Sequence, residues 1–340
     1  MRKLLLVIVA LCLSALVVSA KDLSIYFIDV EGGQATLIVS PSGHAMLVDT
    51  GWPDANGRDA DRIFATAKQA GADRIDDILI THFHADHVGG VPQLVGRMPA
   101  GTFIDHGTAT VEHTANAESV FAAYQQVMAG HRHIIARPGM RIRLKGVNIK
   151  VLAADGRLIK KPIQGAGEVN PYCSDTKSQA DDPSENAHSV GILLTYGKFR
   201  FVDLGDLTWN KELAMMCPQN RVGTVDVFLA SHHGGMTSNS PALVWALHPR
   251  VIIMNNGAQK GGDPEAWNHL RHSPGLEDLW QLHYSVAGGT DHNVPDTYIA
   301  NPEQDQADQG YAIKLDVEKD GSFSVTNTRN GFHKTYQAPR

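Results

Sequence analysis

The chain is short of cysteine, of charge and of long apolar runs. Of its three cysteines in 340 residues, one, Cys12, lies in the N-terminal apolar stretch. No two sit close enough in sequence for a thiolate zinc site. Cys173 and Cys217 either pair in an oxidising compartment or stay free, because sequence does not fix their separation. Charged residues make up only 19%, and acids outnumber Lys and Arg by 36 to 30. That balance argues against nonspecific nucleic-acid binding, which depends on neutralising phosphates with a basic surface. The longest apolar run, Leu4 to Val18, follows Arg2 and Lys3 and ends in Val17-Val18-Ser19-Ala20. It is short for a membrane span of about 20 residues and has the form of a secretory leader cleaved after Ala20. Leu11 before Cys12 excludes a lipoprotein signal. The expectation is a 1–20 signal peptide and a mature chain, 21–340, that is periplasmic or secreted, with no stable membrane insertion. Losing Arg2 and Lys3 moves the formal net charge from −6 to −8. Glu31-Gly32-Gly33 lacks both the Gly-x-Gly-x-x-Gly pattern and the P-loop lysine. No fixed-period repeat and no Pro/Gly/Ser-rich linker divides the chain, and 43% apolar residues suffice for one large core.

What the chain has in concentration is histidine, in Thr81-His82-Phe83-His84-Ala85-Asp86-His87-Val88-Gly89-Gly90. Three imidazoles and a carboxylate fall within six residues, directly after the apolar run Ile78-Leu79-Ile80. These groups suit borderline divalent cations such as zinc. In extended chain His82 and His84 share a face. Asp86 and His87 fall where the chain turns into a helix, placed for a second, adjacent metal.

Apolar runs place strands near 23–30, 34–40, 44–49, 76–81, 147–153, 189–196, 198–204, 225–230 and 250–254. Helical stripes mark 58–70 and 115–129. Glu318-Lys319-Asp320-Gly321 signals a C-terminal hairpin at 311–328. Strands and helices alternate, so the class is α/β, with helices outside two facing sheets in an αββα sandwich. One polar stretch, 154–186, has no apolar period and reads as an inserted loop, lying over the site or mobile in solvent.

The His-x-His-x-Asp-His pattern resembles the metallo-β-lactamase fold superfamily. Leu47-Val48-Asp49-Thr50-Gly51, Phe201-Val202-Asp203-Leu204-Gly205-Asp206 and Val227-Phe228-Leu229-Ala230-Ser231-His232-His233-Gly234-Gly235 resemble its other motifs, in its order. The opening run Ile25 to Ile38, Asn186-Ala187-His188-Ser189 and Ser231-His232-His233-Gly234 resemble the metallo-hydrolase domain of bacterial competence (DNA-uptake) channel proteins. Two departures are Glu31-Gly32-Gly33-Gln34 for that domain's Gly-Gln-Gly-Asp, and Gly261-Gly262-Asp263-Pro264 for its glycine-histidine-proline turn.

The resemblance implies two metals per chain, zinc foremost with manganese or iron as alternatives. His82, His84 and His188 would hold the first, with His106 as the rival to His188. Asp86, His87 and His232 would hold the second, and Asp206 would bridge. Asp86 would orient the attacking oxygen, His233 would shuttle protons, and Asp49 would orient a ligand histidine. The implied chemistry is hydrolysis by a metal-bound hydroxide. The expected substrate is a phosphodiester, in a small molecule or a polymer, with nucleic acid only as substrate. The alternatives are a β-lactam, lactone or other acyl hydrolase, and a non-catalytic metal-containing binding protein.

Overall fold

A computed structural model describes residues 22–53, 55–107, 109–303 and 309–338. The expected leader, 1–20, lies outside them. Two nine-stranded mixed sheets face one another. The first runs, edge to edge, His333–Tyr336, Phe323–Asn327, Ile313–Val317, Leu23–Phe27, Thr36–Val39, Ala45–Val48, Ile75–Leu79, Ala100–Asp105 and Arg132–Ile135. The second runs Ile299–Asn301, Asp278–His283, Val251–Met254, Val227–Leu229, Phe199–Asp203, Gly191–Tyr196, Val147–Ala154 and Arg141–Leu144, with Arg157–Leu158 paired on Val147–Ala154.

Strand alternation divides the apolar residues into three layers. Leu23, Ile25 and Phe27 point between the sheets and meet Ile192, Leu194 and Phe201. The rings of Phe27 and Phe201 pack edge to face with centroids 5.8 Å apart. On the outer face of the first sheet, Tyr26, Ile28, Leu37 and Ile78 pack with Ile63, Leu94, Phe121 and Tyr124 of its covering helices. On the outer face of the second, Leu193, Val202 and Phe228 meet Met215, Leu243 and Leu270. The result is the αββα sandwich. Helix Arg58–Gln69 buries Ala60, Ile63 and Ala67, the spacing its sequence stripe requires. Helix Ala115–Met128 begins at Thr114, whose hydroxyl accepts the Ala117 N–H. Among the described residues no helix is long and apolar enough to cross a membrane.

Ala45–Val48, Ile75–Leu79 and Ala100–Asp105 are mutually parallel, as are Phe199–Asp203, Val227–Leu229 and Val251–Met254. Their carboxyl ends open along one edge of the sandwich, where α/β folds place ligand sites.

The 154–186 stretch packs on the second sheet, and its Lys177 O accepts from Trp209 Nε1 just past Asp206. Ile163 N–H bonds to Arg221 O and Asn170 Nδ2 to Met216 O, so its middle lies along the helices of the second sheet. Cys173 and Cys217 are joined there by a disulfide. Only its ends, Asp155 and Glu185, come near the carboxyl edge of the first sheet.

Candidate metal centre

Each of four strand ends at this edge delivers one or two groups. Ala45–Val48 leads to Asp49, Ile75–Leu79 to His82 and His84, Phe199–Asp203 to Asp206, and Val227–Leu229 to His232 and His233. The short helix Ala85–Val88 carries Asp86 and His87. Close backbone approach holds the two sheets together here. Gly205 has φ +55, and a Cβ on it would lie 2.8 Å from the Thr81 Cβ. Gly33 lies against Asp86, where a Cβ would come within 2.4 Å of the backbone oxygen. The next residue, Gln34, donates to Asp86 O through its backbone and to the Asp203 carboxylate of the other sheet through Nε2. Burial pushes Asp203 up to about 7, against its bonds from Gly205 and Gln34.

Hydrogen bonds fix which ring nitrogens carry lone pairs. Thr81 Oγ1 donates to Asp49 Oδ2 at 2.7 Å, so it can only accept from His82 Nδ1 at 3.0 Å. His82 Nε2 is therefore an acceptor. His84 donates from Nε2 to Glu112 Oε1 at 2.8 Å, which leaves Nδ1 as acceptor. These two acceptors face each other at 3.0 Å. His87 donates from Nδ1 to Asp49 Oδ2 at 2.7 Å. Its Nε2 lies 3.2 Å from His233 Nε2 and 3.3 Å from both Asp86 Oδ2 and Asp206 Oδ2. His233 Nε2 is 3.2 Å from Asp86 Oδ2 and 3.5 Å from Asp206 Oδ1. Ligand atoms of Asp86, His87, Asp206 and His233 all lie within 4.8 Å of one another.

Converging lone pairs and buried carboxylates repel unless a cation or proton lies among them. Asp206 Oδ1 is buried with no hydrogen-bond partner among the described residues. Burial alone would lower the His87 pKa, but the carboxylates of Asp206, Asp86 and Asp49 hold it well above the ordinary imidazole value. Burial, and then the charge on His87, hold His82 well below its ordinary value. The Lys260 ammonium also contacts Asp86 Oδ2 and lies 5.1 Å from the Trp52 ring centre. The donor set of nitrogen and carboxylate oxygen fits a divalent cation of the zinc type.

His82, His84, Asp86, His87 and Asp206 are brought together as the sequence pattern implies; His233, His232 and His188 are placed differently. His233, expected to shuttle protons, is the buried ring inside the cluster. His232, expected as the ligand, is partly exposed, donates to or accepts from Thr237 Oγ1 through Nδ1, and reaches Asp206 Oδ2 at 3.5 Å. Both rings reach the Asp206 carboxylate because both residues are left-handed, φ 51 and 55. Successive side chains in such a turn do not point to opposite sides as they do in a strand. His188 is not placed with His82 and His84. It ends the 3₁₀ turn Glu185–His188 before the strand begins, and Ser189 instead faces His82, at 3.4 Å from Nδ1. His188 groups with its former rival His106 and with Asp155. Lys260, Glu112 and Glu185 carry no sequence signal. They are isolated charged residues brought in by tertiary packing.

Residues 28–156 match the sequence model of the Metallo-beta-lactamase superfamily. A hydroxyacylglutathione hydrolase of Stenotrophomonas maltophilia is 34% identical over 111 residues, 30% of this chain and 37% of that protein. Recombination protein 2 of Haemophilus influenzae is 24% identical over 230 residues, 68% of this chain and 24% of that protein. The chain thus spans little more than a third, or about a quarter, of the length of these curated relatives. Among solved structures, the metallo-beta-lactamase fold protein YhfI from Bacillus subtilis superposes with a TM-score of 0.46 at 12% identity, covering 77% of this chain and 96% of that one.

Proposed function

Because the chain carries a metallo-beta-lactamase superfamily domain with a candidate metal-binding cluster, we propose that it is a secreted, two-metal hydrolase of phosphodiesters. The observation that supports this reading is the pair of imidazole sets, His82 with His84 and His87 with His233, converging beside Asp206. Each pair leaves a place for one cation, and Asp206 lies between them, 3.9 Å from His82 Nε2 and 3.3 Å from His87 Nε2. His82, His84 and Asp206 would hold one ion, and Asp86, His87, His233 and Asp206 the other. A bound divalent pair supplies an activated water and a Lewis acid for the scissile group.

The protein's own groups supply the rest. Asp49 and Glu112 hold His87 and His84 in the tautomers that keep their lone pairs inward. The Lys260 ammonium beside Asp86 favours an anionic substrate, which is why a phosphodiester ranks first. His232, the partly exposed imidazole, takes the proton-shuttle role in place of His233. Secretion is supported by the form of residues 1–20 and by the Cys173–Cys217 disulfide, a bond kept in oxidising compartments. A second reading, acyl or thioester hydrolysis, is favoured by the similarity to hydroxyacylglutathione hydrolases.

The test is metal content per chain measured beside turnover of bis-(p-nitrophenyl) phosphate, nitrocefin and an acyl thioester. At least two metals per chain with phosphodiester turnover is the expected result, and Lys260→Met should lower kcat/KM for the diester about 10-fold or more. Turnover of nitrocefin or thioester alone moves the assignment to acyl transfer. Absence of both metal and turnover leaves a binding protein.

A further inference from the structure

At the end of the neighbouring strand Ala100–Asp105, ligand atoms of His106, Asp155 and His188 lie within 4.8 Å of one another. We propose that these three residues form a separate site for a borderline divalent cation such as zinc, with coordination positions open to solvent or to a small ligand. The inference goes beyond the hydrolase reading and does not depend on it.

His106 is prepared for this role. Its ring is buried, and Nε2 donates to Glu185 Oε2 at 2.8 Å. Glu185 is itself fully buried and accepts from Phe83 N, Val111 N and Thr110 Oγ1. A carboxylate so fixed on one imidazole nitrogen sets the tautomer and raises the donor strength of the other, as carboxylates behind metal-bound histidines do. The remaining nitrogen, Nδ1, makes no hydrogen bond among the described residues, and it is the lone pair available to the cluster.

Asp155 is held just as firmly by a turn. Strands Val147–Ala154 and Arg157–Leu158 are joined by Asp155-Gly156, with φ 53 and 67, the left-handed pair of a two-residue hairpin. Asp155 N–H bonds to His188 O at 3.0 Å, and Asp155 Oδ1 lies 3.4 Å from His188 Nδ1. The rings of His106 and His188 are 5.8 Å apart. The competing partner is Arg157, 3.3 Å from Asp155 Oδ2, an exposed pair of the kind that contributes little.

Two imidazoles and one carboxylate suit zinc or another first-row divalent ion, and three protein ligands leave the remaining positions open. The space exists: His106, Thr110, Arg137, Asp155 and Arg157 line a cavity of about 600 Å³ beside the cluster. Its two arginines would favour an anion as the additional ligand.

The experiment is calorimetric titration of the full chain with Zn²⁺, paired with anomalous diffraction at the zinc edge from crystals grown with Zn²⁺. The parent should bind one equivalent more than Asp155→Asn and His188→Ala, and an anomalous peak should lie among His106, Asp155 and His188. Asn tolerates the left-handed turn, so Asp155→Asn tests the ligand without disturbing the hairpin. Equal stoichiometry in parent and Asp155→Asn, or no anomalous peak there, overturns the proposal. So does a His188→Ala variant whose lost ion proves to be the one at His82 and His84. If the Asp206 cluster binds nothing, the Asp155-dependent equivalent still remains, so the two readings fail separately.

Discussion

Replacing Asp49 by Asn isolates the charge that orients His87, a proposed ligand of the second metal. Asp49 is fully buried, and its carboxylate accepts three bonds of 2.7 Å, from His87 Nδ1, Thr81 Oγ1 and Thr81 N. Its φ of 61 is one that Asn accepts nearly as readily. The backbone and the bond from Thr81 N are therefore retained. What changes is the atom facing His87. An amide NH₂ there donates, so His87 must present Nδ1 as acceptor and carry its hydrogen on Nε2, which points at Asp86, Asp206 and His233. The ring then has no lone pair for the cation.

Loss of such an orienting carboxylate costs about 10- to 100-fold in metal affinity, or about 1.4 to 2.7 kcal/mol. Zinc titration against a chromophoric chelator at neutral pH should show one binding step weakened by that factor. The step belonging to His82 and His84, which Asp49 reaches only through Thr81, should move less. Near-UV circular dichroism would confirm that the variant keeps the parent fold. If both steps keep their parent affinities, the tautomer argument is wrong. If both weaken equally, the assignment of two separate ligand sets around Asp206 is wrong.

Two further perturbations test the scaffold. The Cys173–Cys217 bond spans a sequence separation of 44, for which loop-closure entropy alone gives about 4 kcal/mol. Urea unfolding of a Cys173→Ser, Cys217→Ser double variant should show a loss up to that size, and a loss under about 1 kcal/mol would contradict it. Burial opposes ionisation of Glu185, yet its bonds with His106, Val111 and Phe83 bring it down to about 2. A lowered carboxylate pKa stabilises the fold above the unfolded value and loses that contribution as pH falls towards 2, here roughly 3 kcal/mol. Urea unfolding between pH 5 and 2.5 should therefore show a steeper loss in the parent than in Glu185→Gln, and parallel curves would refute the assignment.

The site was legible where its chemistry is local. His82, His84, Asp86 and His87 follow one apolar strand within six residues, so a strand end alone brings them together. Asp206 was reached instead through the family resemblance, as the last residue of Phe201-Val202-Asp203-Leu204-Gly205-Asp206. Helices 58–70 and 115–129 agree with Arg58–Gln69 and Ala115–Met128 because their apolar stripes follow the helical period. Strand Asp278–His283 left no such trace. Its buried Gln281 and His283 interrupt the apolar pattern, and each is satisfied by a distant partner, Asn293 and Asp29. The same holds for His188 and His106. Each ends or precedes a strand, but which cluster it joins depends on a hairpin turn at Asp155 and a carboxylate at Glu185.

Distribution over both sheets also explains how the cluster tolerates its own charge. The carboxylates of Asp49 and Asp86 belong to the first sheet and that of Asp206 to the second, so their mutual repulsion acts to separate the layers. The opposing force is the apolar layer between the sheets, from Leu23 and Phe27 on one side to Ile192 and Phe201 on the other. Direct ties at the edge, Gln34 to Asp203 and Val190 N to Thr81 O, fix the register of the two layers. Core burial thus opposes the repulsion between carboxylates held at ligand spacing. A cation binding there meets ligands already in place, so little conformational entropy opposes it. Substitutions that loosen the inter-sheet core without touching a ligand should accordingly weaken metal binding as well as stability, because the ligands separate when the sheets do.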